Sequence, residues 1–275
     1  MLLAAMADLP TALYERDGVR WLPTDLTRGP WDPDFQHAGP PAALLCRELE
    51  AASAIEGGQT VRLSYDILRP VPVSPLRISA RVLRPGRRVE LVEATLAMEE
   101  GPPVMRATSW RMRSDAVPAG SGSPDPGSAS PDPPPAPPES GRPGSFGFWK
   151  AEVAYHRALD WRFIEGDFEV PGPATVWTRL RVALVEGEPA TPLQRLLVMA
   201  DAASGVSSVL DWSTFTFVNV DLGIHLLRPP EGEWMAMAAV TRLGDTGAAL
   251  CTSELSDSRG RVGSSTQSLL VAARA

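Results

Sequence analysis

Apolar and polar residues alternate through Val61-Arg-Leu-Ser-Tyr-Asp-Ile-Leu-Arg69-Pro70. The same alternation, closing on the same Arg-Pro, returns in Val220-Asp-Leu-Gly-Ile-His-Leu-Leu-Arg228-Pro229. The offset is 229 − 70 = 159 residues. Farther along it is 262 − 104 = 158, which pairs Val104-Met-Arg-Ala-Thr108 with Val262-Gly-Ser-Ser-Thr266. Alternation with period two marks a strand with one face buried. Each copy follows an apolar helical stretch and is interrupted by a glycine turn, at Gly86 or Gly244. A helix followed by antiparallel strands, given twice, predicts two fused copies of one small α+β unit. Their pseudo-symmetric interface is where chemistry is expected.

In the first half, Gln36-His-Ala-Gly-Pro-Pro41 leads into a helix over 42–52 built from strong helix formers, with proline near the first turn where it costs no hydrogen bond. Strands are predicted at about 60–69, 76–84, 88–99 and 103–112. In the second half, strands at 159–169 and 174–186 precede a helix whose start is signalled by Thr191-Pro-Leu-Gln194, a capping box with proline at the first helical position. This helix is predicted to run through Leu193, Leu196, Leu197 and Val198 towards Leu210. It is apolar almost all round, which marks a buried helix. Strands near 216–227, 233–242, 247–257 and 261–272 finish the chain.

The 275 residues suit two domains, and a hydrophobic share of 44% supplies a core for each. From Asp115 to Ser145 the chain is rich in Pro, Ser, Gly and Ala, with Pro131-Asp-Pro-Pro-Pro-Ala-Pro-Pro138 at its centre. Such composition favours extended, solvated chain. The predicted division is therefore a first domain at 1–114, a linker at 115–147 that acts as a passive spacer, and a second domain at 148–275 carrying the catalytic candidates. Two cysteines in opposite halves, Cys46 and Cys251, provide neither a disulfide framework nor metal-ligand spacing. Met1-Leu-Leu-Ala-Ala-Met has no basic lead, and no apolar run reaches the roughly 18 residues of a membrane span. A cytoplasmic protein without membrane association is expected. The net charge of −7 argues against a nucleic-acid surface, so an anionic ligand would have to be held by local arginines.

Asp201 is the sharpest anomaly, because it shares the side of the apolar helix that carries Leu197 and Val198. A buried carboxylate is costly unless hydrogen-bonded, so Asp201 is either a functional group or a structural one bonded to Ser204 or a loop amide. Gln267 interrupts the last strand on the side of Gly263, Leu269 and Val271. It needs amide partners if buried, or it is an edge glutamine touching water. Asn219 by itself reads as an ordinary strand-entry asparagine. His37 and Gly39 precede the first helix, whose backbone N–H groups can polarise a carbonyl oxygen, with Gly39 allowing close approach; the competing reading is a loop histidine beside a proline-rich cap. His156 and His225 read as structural. Ser204, Ser207, Ser208 and Ser213 lack a nucleophile elbow, which argues against a serine hydrolase.

Taken together, these segments make the chain similar to the double-hotdog acyl-CoA thioesterases, the thioesterase II-like enzymes and their actinobacterial thioesterase-like relatives. The resemblance is carried by Trp31-Asp-Pro33, Gln36-His-Ala-Gly-Pro-Pro-Ala-Ala-Leu-Leu45, Leu197-Val-Met-Ala-Asp201, Phe217-Val-Asn-Val-Asp-Leu-Gly-Ile-His-Leu-Leu-Arg-Pro-Pro230, Glu233-Trp234 and Gly260-Arg-Val-Gly-Ser-Ser-Thr-Gln267. It covers both halves and skips the linker. It implies a tandem hotdog of class α+β, with two long central helices each wrapped by an antiparallel sheet, and it leaves room for a homo-oligomer of such subunits.

The resemblance also implies hydrolysis of acyl-CoA or related acyl thioesters by a water that Asp201, Asn219 and Gln267 bind and activate, with no metal or other cofactor. Asn219 stands where the enterobacterial pattern has Thr, and Ala38 where relatives often have a second Gly. The acyl chain is expected in an apolar tunnel between the halves, with His37 and Gly39 near the thioester and Arg69, Arg84 and Arg228 meeting the CoA phosphates. A non-catalytic acyl-thioester-binding protein is the alternative. A hydratase expects an Asp–His pair, and no histidine lies near Asp201 in the sequence, so that reading ranks last.

Overall fold

The two alternating segments lie edge to edge at the centre of the molecule, in a computed structural model that describes residues 9–114, 133–149 and 151–274. The first half contributes strands β1 (Ala12–Asp17) and β2 (Arg20–Pro23), helix α1 (Gly39–Ala52), and strands β3 (Gly58–Ile67), β4 (Leu76–Arg84), β5 (Val89–Met98) and β6 (Pro103–Arg113). The second contributes β7 (Leu159–Asp167), β8 (Val170–Leu180) and β9 (Ala183–Val185), then helices α2 (Pro192–Ala200) and α3 (Ala203–Val206). It ends with β10 (Phe215–Asn219), β11 (Asp221–Leu226), β12 (Trp234–Leu243), β13 (Ala248–Asp257) and β14 (Gly260–Ala273).

Strand β3 pairs antiparallel with β11, and Ser64 faces Gly223. These two residues are related by the sequence offset, 223 − 64 = 159. Repeat-equivalent residues can face each other in an antiparallel pair only where a two-fold axis passes between them. The sheet order obeys the same axis. Outward from the centre one side runs β3, β6, β5, β4, β2, β1 and the other β11, β14, β13, β12, β8, β7. The short strand β9 breaks the symmetry, since it leaves the second half and pairs parallel with β1 of the first. Strand β10 pairs with β14 beside β11.

This architecture corrects the expected fold class. Among the described residues all fourteen strands belong to one sheet and the α-helices are short, at 14, 9 and 4 residues, so they contain no two long central helices each wrapped by a sheet of its own. The apolar run from Leu193 to Leu210 stops being helix at Asp201, whose backbone N–H bonds to Met199. The carboxylate of Asp201 is claimed from outside the helix, and apolar composition carries no record of that. The start of α2 follows its local code: Thr191 Oγ1 accepts from Gln194 N at 3.2 Å and Gln194 Oε1 accepts from Thr191 N at 3.0 Å, a cap worth about 1 kcal/mol. Both helices bury Leu44, Leu45, Leu49, Leu196, Leu197 and Val198 against the sheet.

The hairpin β1–β2 was not among the expected strands, although Asp17-Gly18 is a hairpin turn signal; Gly18 takes a φ of 59° there. Of the expected linker, residues 115–132 lie outside the described residues. The remainder packs on the second half. Trp177 Nε1 donates to Ala136 O at 2.7 Å, and Arg142 and Phe163 exchange backbone hydrogen bonds of 2.8 and 3.0 Å that cover the edge of β7. Phe146, Phe148 and Trp149 then join an aromatic cluster with His156, Trp161, Phe168 and Trp212.

His156 is buried in that cluster, 4.7 Å from the Trp149 ring, and its Nδ1 has no hydrogen-bond partner. Burial, helped by the charge of Arg157, lowers its pKa from 6.5 to about 4. The neutral ring therefore supports folding fully above about pH 6.5, and that support is lost as pH falls towards 4, because the unfolded chain takes up the proton first. Thermal melts across this window should show the melting temperature of the parent dropping more steeply than that of His156→Phe. Equal slopes would show that the ring does not titrate in this way.

Candidate active site

The proline-rich entry to α1 brings His37 and Ala38 against the end of α2. Gly39 makes that approach feasible, since a Cβ there would collide with the Val198 carbonyl oxygen. The open side of Gly39 is thus occupied by α2. The Gly39 N–H points to His37 Nδ1 at 3.2 Å.

Asp201, 5% exposed, sits where the helices meet. Its Oδ2 lies 3.0 Å from His37 Nδ1, and its Oδ1 accepts from Asn219 Nδ2 at 2.8 Å and from Gln267 Nε2 at 3.3 Å. Gln267 Nε2 also donates to the Asp201 backbone oxygen at 2.9 Å, while Gln267 Oε1 accepts from Ser204 N at 3.1 Å. One ring nitrogen cannot accept from Gly39 and donate to a carboxylate at once. The carboxylate contact is shorter and charge-assisted, so the proton is assigned to Nδ1. The His37 ring is held flat against Tyr155, with centroids 3.8 Å apart and planes 3° apart, and Tyr155 Oη donates to Val198 O at 2.6 Å.

Burial alone would push the Asp201 carboxyl up. The electrostatic pull and hydrogen bond of His37, the amide of Asn219 and the backbone N–H of Ala38 outweigh it and hold the pKa below the usual carboxylate value. The result is a buried carboxylate that stays ionised at neutral pH. Asp201, Asn219 and His37 border a cavity of about 350 Å³ whose remaining walls are mostly apolar, among them Trp31, Ile67, Phe148, Trp212 and Phe217. The cavity lies between segments of both halves. Chemically, it can enclose an apolar group and present a proton acceptor to it.

Two family models divide the chain between them. Residues 27–112 match the acyl-CoA thioesterase N-terminal domain, and residues 126–271 match the acyl-CoA thioesterase C-terminal domain. The chain belongs to the acyl-CoA thioesterase family. That membership supports acyl-CoA thioester hydrolysis as its class of reaction.

Solved structures agree in fold. A thioesterase II candidate from Thermobifida fusca shares 24% identity over 95% of this chain and 96% of its own, with a TM-score of 0.71. A hot dog fold protein of unknown function from Alicyclobacillus acidocaldarius shares 17% over 95% and 96%, with a TM-score of 0.70. An acyl-CoA thioesterase II from Mycobacterium marinum shares 15% over 96% of each chain, with a TM-score of 0.61. No curated protein matches the sequence.

Within this thioesterase-family site, the expected residues divide into those that converge and those that do not. Asp201, Asn219, Gln267 and His37 converge, but Gln267 is 1% exposed and stands behind Asp201 rather than on the cavity wall. Of the three arginines, Arg69 borders the cavity, with Nη1 donating to Pro103 O at 3.0 Å. Arg84 lies on the exposed β4–β5 hairpin and donates to Val89 O at 2.9 Å. Arg228 is committed to Asp257 through two hydrogen bonds of 2.6 Å. Neither borders the cavity.

The pairing of His37 with Asp201 was missed in the sequence, since 164 residues separate them (201 − 37). A histidine does lie beside Asp201 in three dimensions, so distance in the sequence does not set the hydratase reading aside. Tyr155, the support of His37, also gave no signal. Among the described residues, no helix is long and apolar enough to cross a membrane.

Proposed function

We propose that this chain hydrolyses acyl-CoA, or a closely related acyl thioester, with Asp201 as the general base. The observation that carries the reading is an ionised carboxylate, held by four donors, on the wall of a mostly apolar cavity. The acyl group occupies the cavity, and a water beside Asp201 attacks the thioester carbonyl carbon while its proton passes to the carboxylate. The tetrahedral intermediate collapses with cleavage of the C–S bond, and the proton leaves with the CoA thiol. Asn219 and Gln267 orient the carboxylate through Oδ1 and His37 orients it through Oδ2, so less of the barrier is spent on alignment. Arg69, beside the cavity mouth, is placed to meet a CoA phosphate.

The His37–Asp201 pair also suits a hydratase acting on an enoyl thioester, and the two reactions differ in product. The test is thiol release from a panel of acyl-CoAs across pH. CoA release is expected, with no acid limb within or above the ordinary carboxylate range, because the folded pKa of Asp201 lies below it. An acid limb near neutrality would show that another group controls the rate. Binding without release would favour an acyl-thioester-binding protein, and loss of enoyl absorbance without thiol release would favour a hydratase.

A further inference from the structure

The cavity that holds Asp201 adjoins a second one, of about 640 Å³, that is open to solvent and bordered by Pro171, Val209 and Leu210 together with the polar Glu169, Asp211 and Arg274. The two cavities share three wall residues, Phe148, Phe168 and Trp212. Phe148 and Trp212 stack with centroids 4.1 Å apart and planes 19° apart, so two aromatic rings form the partition between the spaces.

The two rings are not held equally. Trp212 is pinned at both ends, its Nε1 donating to Phe168 O at 3.0 Å and its backbone oxygen accepting from Arg274 at 2.7 Å. Phe148 belongs to no helix or strand, is half-buried, and is held by ring contacts with Trp149, Phe168 and Trp212. It comes from the segment that joins the two halves, so the connection contributes a wall of the site.

We propose that the Phe148–Trp212 pair is the chain-length stop of the acyl site: acyl chains end against it, and removing the Phe148 ring joins the two cavities and admits longer chains. This rests on the reading of the cavity as the acyl site. Each additional methylene that finds apolar cover instead of water improves binding about fourfold. A chain too long for the inner cavity loses that gain in the parent and recovers it in Phe148→Ala.

The experiment compares parent and Phe148→Ala on straight acyl-CoAs from butyryl to palmitoyl, by thiol release, and on the matching free fatty acids by isothermal titration calorimetry. In Phe148→Ala the preferred chain should lengthen, with kcat/KM for chains beyond the parent optimum rising about fourfold per added methylene relative to butyryl. Val209→Trp, which narrows the second cavity, should leave the parent profile unchanged and should reduce the lengthening when combined with Phe148→Ala. Identical profiles in parent and Phe148→Ala, or a uniform change at every length, would overturn the proposal. The calorimetric arm separates the two readings. A lengthened fatty-acid preference without any thiol release upholds the stop and removes the hydrolase.

Discussion

Asp201→Asn is expected to lower kcat on acyl-CoA by about 10²–10⁴-fold, the range for removing a general base. The fold should survive with a moderate loss. An asparagine can keep its oxygen towards Asn219 and Gln267, where Oδ1 now accepts from both. Its amide then faces His37, which can answer by moving its proton to the other ring nitrogen. The backbone N–H of Ala38 loses a charged acceptor, at about 1–3 kcal/mol. The measurement is kcat beside a thermal melt, with fatty-acid binding as control. Activity within twofold of the parent in a folded variant would assign Asp201 to structure alone.

Gly39→Ala should damage stability and activity together, although it adds a single methyl group and Gly39 itself does not line the cavity. The contact is with backbone, the Val198 carbonyl oxygen, so no side chain can swing aside. Overpacking of this kind costs about 1–3 kcal/mol, and each kcal/mol lowers the melting temperature of a chain this size by about 2–4 °C. The helices must separate, and His37, two residues before Gly39, is carried away from Asp201. A drop in kcat at least as large as the drop in folded fraction would follow at temperatures where the variant is still folded. An unchanged melting temperature would show that α1 and α2 can slide without cost.

How legible the site was depended on how local each cue is. Asp201 stood out because a carboxylate beside Leu197 and Val198 contradicts its surroundings, and Gln267 stood out for the same reason beside Gly263, Leu269 and Val271; both are buried in the structure. Asn219 had no such contrast and came only through a family pattern. His37 was visible as a residue before a helix, but its partner was not. The arginines were chosen by charge, and charge does not tell a guanidinium at a cavity mouth from one already bonded to Asp257. The aromatic wall was hidden by its neighbourhood, since Phe146, Phe148 and Trp149 follow a proline-rich run that suggests a passive tether.

What the sequence determined by itself is the inventory and the faces. Period-two alternation sets which side of each strand is buried, the Thr191–Gln194 box starts α2, and the 159-residue offset announces two equivalent units. The first two depend on neighbours within a few residues, and the third needs only the sequence compared with itself. The tertiary structure decided how the units join. Backbone hydrogen bonds along the edges of β3 and β11 merge them into one sheet, and such edges carry no side-chain signature of their partner. It also decided where α2 stops, which chain segment walls the cavity, and that His37 reaches Asp201 across 164 residues (201 − 37). Closing a loop of that length costs little more than closing a short one, so sequence separation says almost nothing about which groups meet.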